Sequence, residues 1–245
     1  MAILGILFDK DGTLIDYEKT WPPINFNAAR YAARGDPALT AELLRRTGQD
    51  PATGRVAAGS VLATGSVEDI AREFAIALGR STPPDLAQAI ERIFSDGGAR
   101  GAVLIPGVAA TLRELKRRGL RMGVGSNDSQ RGLHASLSAP GVLEFFAFAA
   151  GYDSGFGSKP DRRMALAFCR AVGIAPNEMA VVGDARLDLA MGRAAGAGLT
   201  VGVLSGTSAR GELEELADLI IDSVNDLVLL DAFRGRAASD DRAQR

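Results

Sequence analysis

Short apolar segments alternate with amphipathic segments along most of the chain. The apolar segments have the length of strands and end near Gly, Ser, Asn or Asp; they cover residues 3–8, 121–126, 146–150, 179–183, 199–204 and 219–221. Between them, from about residue 106 onward, apolar residues recur every three or four positions, as in helices with one buried face. This alternation predicts an α/β fold with a doubly wound parallel sheet, whose ligand site lies beyond the carboxyl ends of the strands.

The interval 17–101 breaks this alternation. Helical patterns follow one another there without a convincing strand, at residues 21–34, 37–47, 67–79 and 84–95. We therefore predict an inserted α-helical cap domain at 17–101 and a core made of residues 1–16 and 102–233. Residues 50–65 have the composition of a mobile or pocket-covering loop. The charged segment 234–245 contains few apolar residues and is predicted to be a disordered tail without chemistry.

The composition of the chain limits the kinds of partner and cellular compartment that we expect for it. The chain has 245 residues, 47% of them hydrophobic, and its 28 basic residues against 30 acidic ones give a net charge of −2. We expect no nucleic-acid partner because no broad basic surface is available. Cys169 is the single cysteine, which excludes an internal disulfide and fits a reducing cytoplasm. The apolar start lacks a basic region and is interrupted by Asp9, so we expect neither a signal peptide nor a membrane span.

The first strand ends in a pair of acidic residues. If the strand continued, Asp9 and Asp11 would point to one side and Lys10 would point away. Gly12 relaxes the backbone after them, and with Thr13 it could present N–H groups to an anion. Two acids beside such amides suit phosphate chemistry. Acids after a strand also occur in ordinary turns, so this segment alone does not decide the function.

Three later strand ends supply groups that complement this pair. Ser126 and Asn127 can donate hydrogen bonds to phosphate oxygens at a helix N-terminus, although they could equally cap that helix. Lys159 can neutralise charge on a phosphoryl group, although most loop lysines are only solvated. Asp184 and Asp188 lie one helical turn apart, where they could complement the helix dipole or bind a hard cation such as Mg²⁺.

Taken in order, these four motifs resemble the haloacid dehalogenase superfamily of phosphohydrolases, over a span from Ile3 to Asp188. The helical insert after the first motif resembles the branch with a small helical cap, which includes phosphoglycolate phosphatases and β-phosphoglucomutases. The resemblance implies a Rossmann-like core and a cytoplasmic phosphatase for small phosphorylated metabolites, without a membrane partner, as a monomer or homodimer. A phosphomutase and a non-catalytic binding protein of the same fold are the alternatives.

The resemblance also implies a role for each motif residue. Asp9 would attack phosphorus to form an aspartyl-phosphate, and Asp11 would protonate the leaving alcohol and then activate water. The residues expected to hold the phosphoryl oxygens are Gly12, Thr13, Ser126, Asn127 and Lys159. The residues expected to hold Mg²⁺ are Asp9, Asp11 through its carbonyl, Asp184 and, directly or in the outer shell, Asp188.

Two questions stay open at this level. Lys10 stands where the family usually has an apolar residue, and the sequence assigns it no firm role. Specificity should come from the cap, for which the candidate contacts are Lys19, Trp21, Arg30, Arg45 and Arg55. Trp21 could line the substrate cavity or pack between cap and core.

Overall fold

A six-stranded parallel sheet forms the centre of the protein, in a computed structural model that describes residues 2–79 and 84–234. Its strands are β1 (Gly5–Phe8), β2 (Arg121–Gly125), β3 (Phe148–Ala150), β4 (Met179–Gly183), β5 (Leu199–Val203) and β6 (Leu219–Ile221). They pair in the order β3-β2-β1-β4-β5-β6, and every pair is parallel. The predicted α/β class and all six predicted strands are confirmed.

Helices cover both faces of the sheet, which explains why the strands are apolar throughout. Along β1, Ile6 and Phe8 belong to one hydrophobic cluster and Leu7 to the cluster on the opposite face. The helices that follow the insert are α6 (Val108–Arg117), α7 (Gln130–Ser138), α8 (Arg163–Val172), α9 (Arg186–Ala195) and α10 (Arg210–Leu213). Short 3-10 turns complete the connections at Leu143–Phe145, Pro176–Glu178, Val224–Leu229 and Asp231–Phe233.

Between β1 and α6 the chain forms a helical insert with its own hydrophobic cluster, which extends from Tyr17 to Phe94. Its helices are α1 (Tyr17–Ala32), α2 (Pro37–Thr47), α3 (Val61–Thr64), α4 (Val67–Ala77) and α5 (Pro84–Gly101). The two connections to the core run side by side, because the Asp16 amide donates to the Val103 carbonyl at 2.8 Å. The exact division between core and cap, at 16/17 and 101/102, stays a prediction.

The insert differs from the prediction in the start of α1, the end of α5 and the presence of α3. α1 begins four residues before the predicted start because Asp16 caps it, accepting from the Lys19 amide at 3.1 Å. α5 continues past residue 95 through Gly97, where a side chain would meet Ile24 at 2.8 Å, so this glycine permits close helix packing. The short helix α3 was not predicted, because its Gly- and Ala-rich surroundings have the composition of a loop.

The end of the predicted disordered segment 234–245 lies outside the described residues, from 235 onward. Arg234 itself forms an ion pair with Asp231 at 2.8 Å. Within the described ranges, no helix combines the length and the apolar character required to cross a membrane.

The sheet order places the predicted motifs together. β1 lies between β2 and β4, with Phe8 in register with Val124 and Val182. Because parallel strands end at one edge, the loops after β1, β2 and β4 meet there. Asp9, Ser126 and Asp184 are the residues that directly follow these three strands.

Candidate active site

A small cavity of about 80 Å³ lies between this edge of the sheet and the helical insert. From the core it is lined by Asp9, Asp11, Ser126, Asn127, Asp128, Lys159, Asp184, Ala185, Leu187 and Asp188. From the insert it is lined by Tyr17, Trp21, Asn25, Leu62, Ala63, Thr64, Gly65, Val67, Ile70 and Phe94. All of the predicted site residues except Gly12 and Thr13 therefore face one space.

Lys159 connects the first and last motifs. Its Nζ contacts Asp9 Oδ1 and lies 2.7 Å from Asp188 Oδ1, and the side chain is buried. Burial alone would lower the pKa of Lys159, but the carboxylates of Asp188 and Asp9 raise it above its usual value. The ammonium group therefore stays charged and fixes the orientation of the Asp9 carboxylate.

Three carboxylates at this point suit a divalent cation. Asp9, Asp184 and Asp188 each offer an oxygen, and these oxygens lie within 4.8 Å of one another. Burial, together with neighbouring carboxylates, raises the pKa of both Asp184 and Asp188. A hard cation that accepts oxygen ligands would relieve this crowding of negative charge. The donor set fits Mg²⁺, and binding of the ion by these three residues stays a prediction.

The loop after β5 orients one of these three carboxylates, that of Asp184. The Thr207 amide donates to Asp184 Oδ2 at 3.0 Å. Gly206 lies against the same carboxylate, where a Cβ atom would come within 1.9 Å of Asp184 Oδ2. The absence of a side chain at Gly206 is therefore what lets Asp184 occupy its position.

Asp11 lies in a separate network, and here the structure differs from the prediction for Lys10. β1 ends at Phe8, so the alternation of a strand does not extend to the acids. Lys10 turns toward Asp11 instead of away from it, with its Nζ 3.1 Å from Asp11 Oδ2 and 2.5 Å from Asp128 Oδ2. Trp21 Nε1 donates to Asp11 Oδ1 at 2.6 Å, and its ring lies 4.7 Å from Lys10 Nζ.

This network fixes the protonation behaviour of Asp11. Burial raises the pKa of Asp11 to about 6; the neighbouring carboxylates of Asp9 and Asp128 contribute in the same direction. Lys10 and the indole donor of Trp21 oppose the rise. A carboxyl group with this pKa can both release and accept a proton near neutral pH. The predicted magnesium role of the Asp11 carbonyl stays a prediction.

Gly12 and Thr13 do not line the cavity, and their predicted contact with phosphate stays a prediction. The Gly12 amide donates to the Ile15 carbonyl at 2.8 Å, so it is engaged in the turn. Gly12 has φ +79°, and a Cβ there would lie 2.7 Å from the Asp184 carboxylate. The Thr13 hydroxyl is buried without a hydrogen-bond partner among the described residues. These residues shape the turn that carries the acids.

Ser126 and Asn127 reach the cavity as predicted, with different environments. The buried Ser126 Oγ accepts from the Asp128 amide at 3.0 Å, which leaves its O–H free to donate toward the cavity. Asn127 Oδ1 accepts from the Lys159 amide at 2.8 Å, and its Nδ2 donates to the Thr64 carbonyl of the insert at 3.0 Å. Asn127 therefore holds the Lys159 loop and joins the core to the insert.

Sequence reasoning missed Asp128 and the segment 205–207. No local sequence signal identifies Asp128, because its partner Lys10 lies 118 positions away in the sequence. Of the five proposed cap contacts only Trp21 lines the cavity, and it also packs against Phe94 with ring centroids 5.7 Å apart. Trp21 therefore lines the cavity and packs within the insert, and its hydrogen bond to Asp11 connects the insert to the core. The remaining candidates, Lys19, Arg30, Arg45 and Arg55, are exposed.

Known proteins are similar to this chain in sequence and in fold. The family model of haloacid dehalogenase-like hydrolases matches residues 3–196. A phosphoglycolate phosphatase from Shigella boydii is 30% identical, with 92% of this chain and 91% of that protein covered. A haloacid dehalogenase family hydrolase from Deinococcus radiodurans, solved with bound phosphate and sodium, superposes with a TM-score of 0.66 at 25% identity, over 96% of this chain and 99% of that one.

A predicted phosphoglycolate phosphatase from Haemophilus somnus has the same fold, with a TM-score of 0.69 at 21% identity and coverage of 93% and 97%. The family match extends from β1 to the end of α9 and so includes all four motif loops that meet at the cavity. On this evidence the chain belongs to the haloacid dehalogenase-like hydrolase family.

Proposed function

We propose that this hydrolase is a magnesium-dependent phosphatase that acts on small phosphomonoesters through an aspartyl-phosphate on Asp9. The observation that carries the proposal is the pairing of two differently placed carboxylates in one cavity. Asp9 contacts a buried ammonium group and has an oxygen within 4.8 Å of two further carboxylates, whereas Asp11 has a pKa raised to about 6 and a separate set of partners. Such a pair supports a nucleophile and an acid–base group.

In the proposed reaction, an Asp9 carboxylate oxygen forms a bond to phosphorus while the bond between phosphorus and the alcohol oxygen breaks. Asp11 gives its proton to the departing alcohol. It then accepts a proton from the water that attacks phosphorus, which releases phosphate and restores Asp9. Lys10 and Trp21 hold Asp11 in place, and Lys159 stabilises negative charge on the transferred group.

Asp9, Asp184 and Asp188 would hold the magnesium ion. When bound, the ion would lower the electrostatic repulsion between the Asp9 carboxylate and the phosphate, which otherwise opposes attack of one anion on another. The Thr207 amide and Gly206 would keep Asp184 directed toward it.

The helical insert would act as a cap that closes over the substrate. Three polar contacts in the described structure support this role: Trp21 to Asp11, Asn127 to the Thr64 carbonyl, and the Tyr152 hydroxyl to Glu68 Oε1 at 2.6 Å. Each joins the insert to the core. Closure would exclude bulk water from the phosphoryl group.

The names of the relatives suggest candidate substrates, and the lining of the cavity helps to decide between a phosphatase, a phosphomutase and a non-catalytic protein. Phosphoglycolate is a candidate substrate from the names of the relatives, and sugar phosphates are a second class. A phosphomutase would have to place a second phosphoryl group against the insert, and no lysine or arginine of the described insert lines the cavity there. This favours hydrolysis. A non-catalytic role is disfavoured because the nucleophile, acid–base and cation-binding groups are all present.

A phosphate-release screen over small phosphorylated metabolites, with and without Mg²⁺, tests the proposal. We expect activity that requires Mg²⁺ and falls at least about 1,000-fold in Asp9→Asn, which removes the nucleophile. Asp222→Asn, an exposed change outside the cavity, should leave activity unchanged. Unchanged activity in Asp9→Asn would refute the nucleophile. Conversion of a phosphorylated hexose to an isomer without free phosphate would establish the mutase instead.

A further inference from the structure

Among the described residues, the wall of the cavity that the insert contributes is mostly apolar and contains no lysine or arginine. Five of its residues present hydrocarbon or aromatic surface: Trp21, Leu62, Val67, Ile70 and Phe94. We infer that the preferred substrate has an uncharged leaving group with an apolar face, and that an ester whose leaving group carries a carboxylate is a poor substrate. This inference rests on the proposed phosphatase function and narrows its substrate class.

The polar groups on this wall already have partners. The Tyr17 hydroxyl donates to the Leu62 carbonyl at 2.6 Å, and Asn25 Nδ2 donates to Gln49 Oε1 at 2.9 Å. The Thr64 carbonyl accepts from Asn127. A leaving group that entered the cavity would therefore meet few donors on the insert side that are free to bind a charged oxygen.

The charged groups around the cavity also disfavour a negatively charged leaving group. Its lining contains one ammonium group, on Lys159, and five carboxylates, on Asp9, Asp11, Asp128, Asp184 and Asp188. Lys159 is held between Asp9 and Asp188, and the second ammonium, on Lys10, is buried between Asp11 and Asp128. A bound divalent cation would offset two of these negative charges, and no basic residue of the described insert lines the cavity to bind a further anion.

The basic residues of the insert that the sequence suggested as substrate contacts do not offset this negative charge. Lys19 pairs with Asp16 at 2.6 Å, and Arg45 pairs with Glu42 at 3.0 Å, both on exposed surface. Arg30 and Arg55 are also exposed, and neither lines the cavity. A second anionic group on the substrate would be buried here without a cationic partner, which is costly, whereas an apolar group would pack against Trp21 and Phe94.

The test compares three esters with closely similar skeletons: phosphoglycolate, its uncharged amide, and n-propyl phosphate. The amide and the carboxylate have the same shape, so the ratio of their kcat/KM values reports the effect of the charge on the leaving group. We expect kcat/KM of wild type with saturating Mg²⁺ to be about 10- to 100-fold higher for the amide than for phosphoglycolate, the penalty for leaving a charged group unpaired. Propyl phosphate should be hydrolysed at least as well as the amide.

Lysine substitutions in the wall test the cause. Ile70→Lys, and independently Leu62→Lys, place an ammonium group at the cavity and should shift the ratio toward phosphoglycolate by about tenfold. Ile76→Lys is the matched control, because Ile76 lies on the same helix α4 as Ile70 but is 54% exposed. It should leave the ratio unchanged, as should Arg55→Ala.

The outcomes separate this inference from the proposed function. Equal or faster hydrolysis of phosphoglycolate by wild type overturns the inference and leaves the phosphatase intact. The same holds if wild type hydrolyses other phosphomonoesters but neither uncharged ester, if Arg55→Ala selectively lowers phosphoglycolate turnover, or if folded Ile70→Lys and Leu62→Lys keep the wild-type ratio. Absence of Mg²⁺-dependent phosphate release from every ester tested overturns the proposed function itself.

Discussion

Replacing Lys10 by methionine should strongly destabilise the protein. The Lys10 side chain is fully buried, and its Nζ lies 2.5 Å from Asp128 and 3.1 Å from Asp11, with the Ser136 hydroxyl at 3.3 Å. Methionine keeps an unbranched chain of similar length but removes the charge. Two largely buried carboxylates, 19% exposed for Asp11 and 8% for Asp128, would then remain without their shared cation.

The size of the expected loss in the free energy of unfolding follows from the burial of Lys10. Removing one partner of a buried ion pair costs about 3–5 kcal/mol, because the remaining charge stays desolvated. Lys10 serves two carboxylates, so we expect Lys10→Met to lower the free energy of unfolding by at least about 3 kcal/mol at neutral pH. The attraction between the Lys10 ammonium and the Trp21 ring adds to the loss.

Urea denaturation followed by far-UV circular dichroism measures this change. The control is Lys19→Met, because Lys19 also pairs with an aspartate but is 63% exposed, and an exposed pair contributes at most about 1 kcal/mol. Adding Asp128→Asn to Lys10→Met removes one orphaned charge and should recover at least about 1 kcal/mol. If Lys10→Met is no more destabilising than Lys19→Met, the interpretation of this network is wrong.

Two further predictions concern other parts of the structure. Gly206→Ala should raise the Mg²⁺ concentration needed for half-maximal phosphatase activity by about tenfold or more, since its Cβ would displace the Asp184 carboxylate, while Gly211→Ala, which meets nothing within 4 Å, should not. Hydrogen bonds from Arg117 and the neighbouring Arg118 lower the pKa of Glu114 to about 2 from 4.5. The stabilisation from these contacts is therefore present above pH 4.5 and is lost as the pH falls toward about 2. The difference in melting temperature between wild type and Glu114→Gln should shrink over that interval, and a constant difference would contradict this assignment.

Most of the fold could be predicted because its signals are local. The buried strands are apolar on both faces, and helices between them have one apolar side, so the residues themselves specify the alternation. The meeting of Asp9, Ser126 and Asp184 follows from parallel strands that end at one edge. Where boundaries differ, the cause lies in a contact that periodicity does not show, such as the close packing of Gly97 against Ile24.

The candidate site could be predicted only in part, because side-chain direction depends on where regular structure stops. Extending the alternation of β1 by two residues placed Lys10 opposite the acids, whereas the chain turns after Phe8 and brings it beside Asp11. The partner Asp128 is 118 positions away in sequence, so no local pattern could have paired it with Lys10. The residues that determine substrate specificity could not be predicted either. The charge of the insert's arginines suggested them as substrate contacts, but these side chains are exposed and do not line the cavity.

Both parts of the protein contact Asp11, the proposed acid–base group. Asp11 belongs to the core, but the hydrogen bond that holds its Oδ1 comes from Trp21 of the insert. Asn127 makes the reciprocal connection, because it belongs to the core and donates to the Thr64 carbonyl of the insert. Movement of the insert away from the core would therefore release Asp11 and Asn127 together. Full assembly of the proposed site thus requires the insert to be closed. The apolar wall proposed to receive the leaving group includes Trp21, which also orients Asp11, the residue proposed to protonate that group.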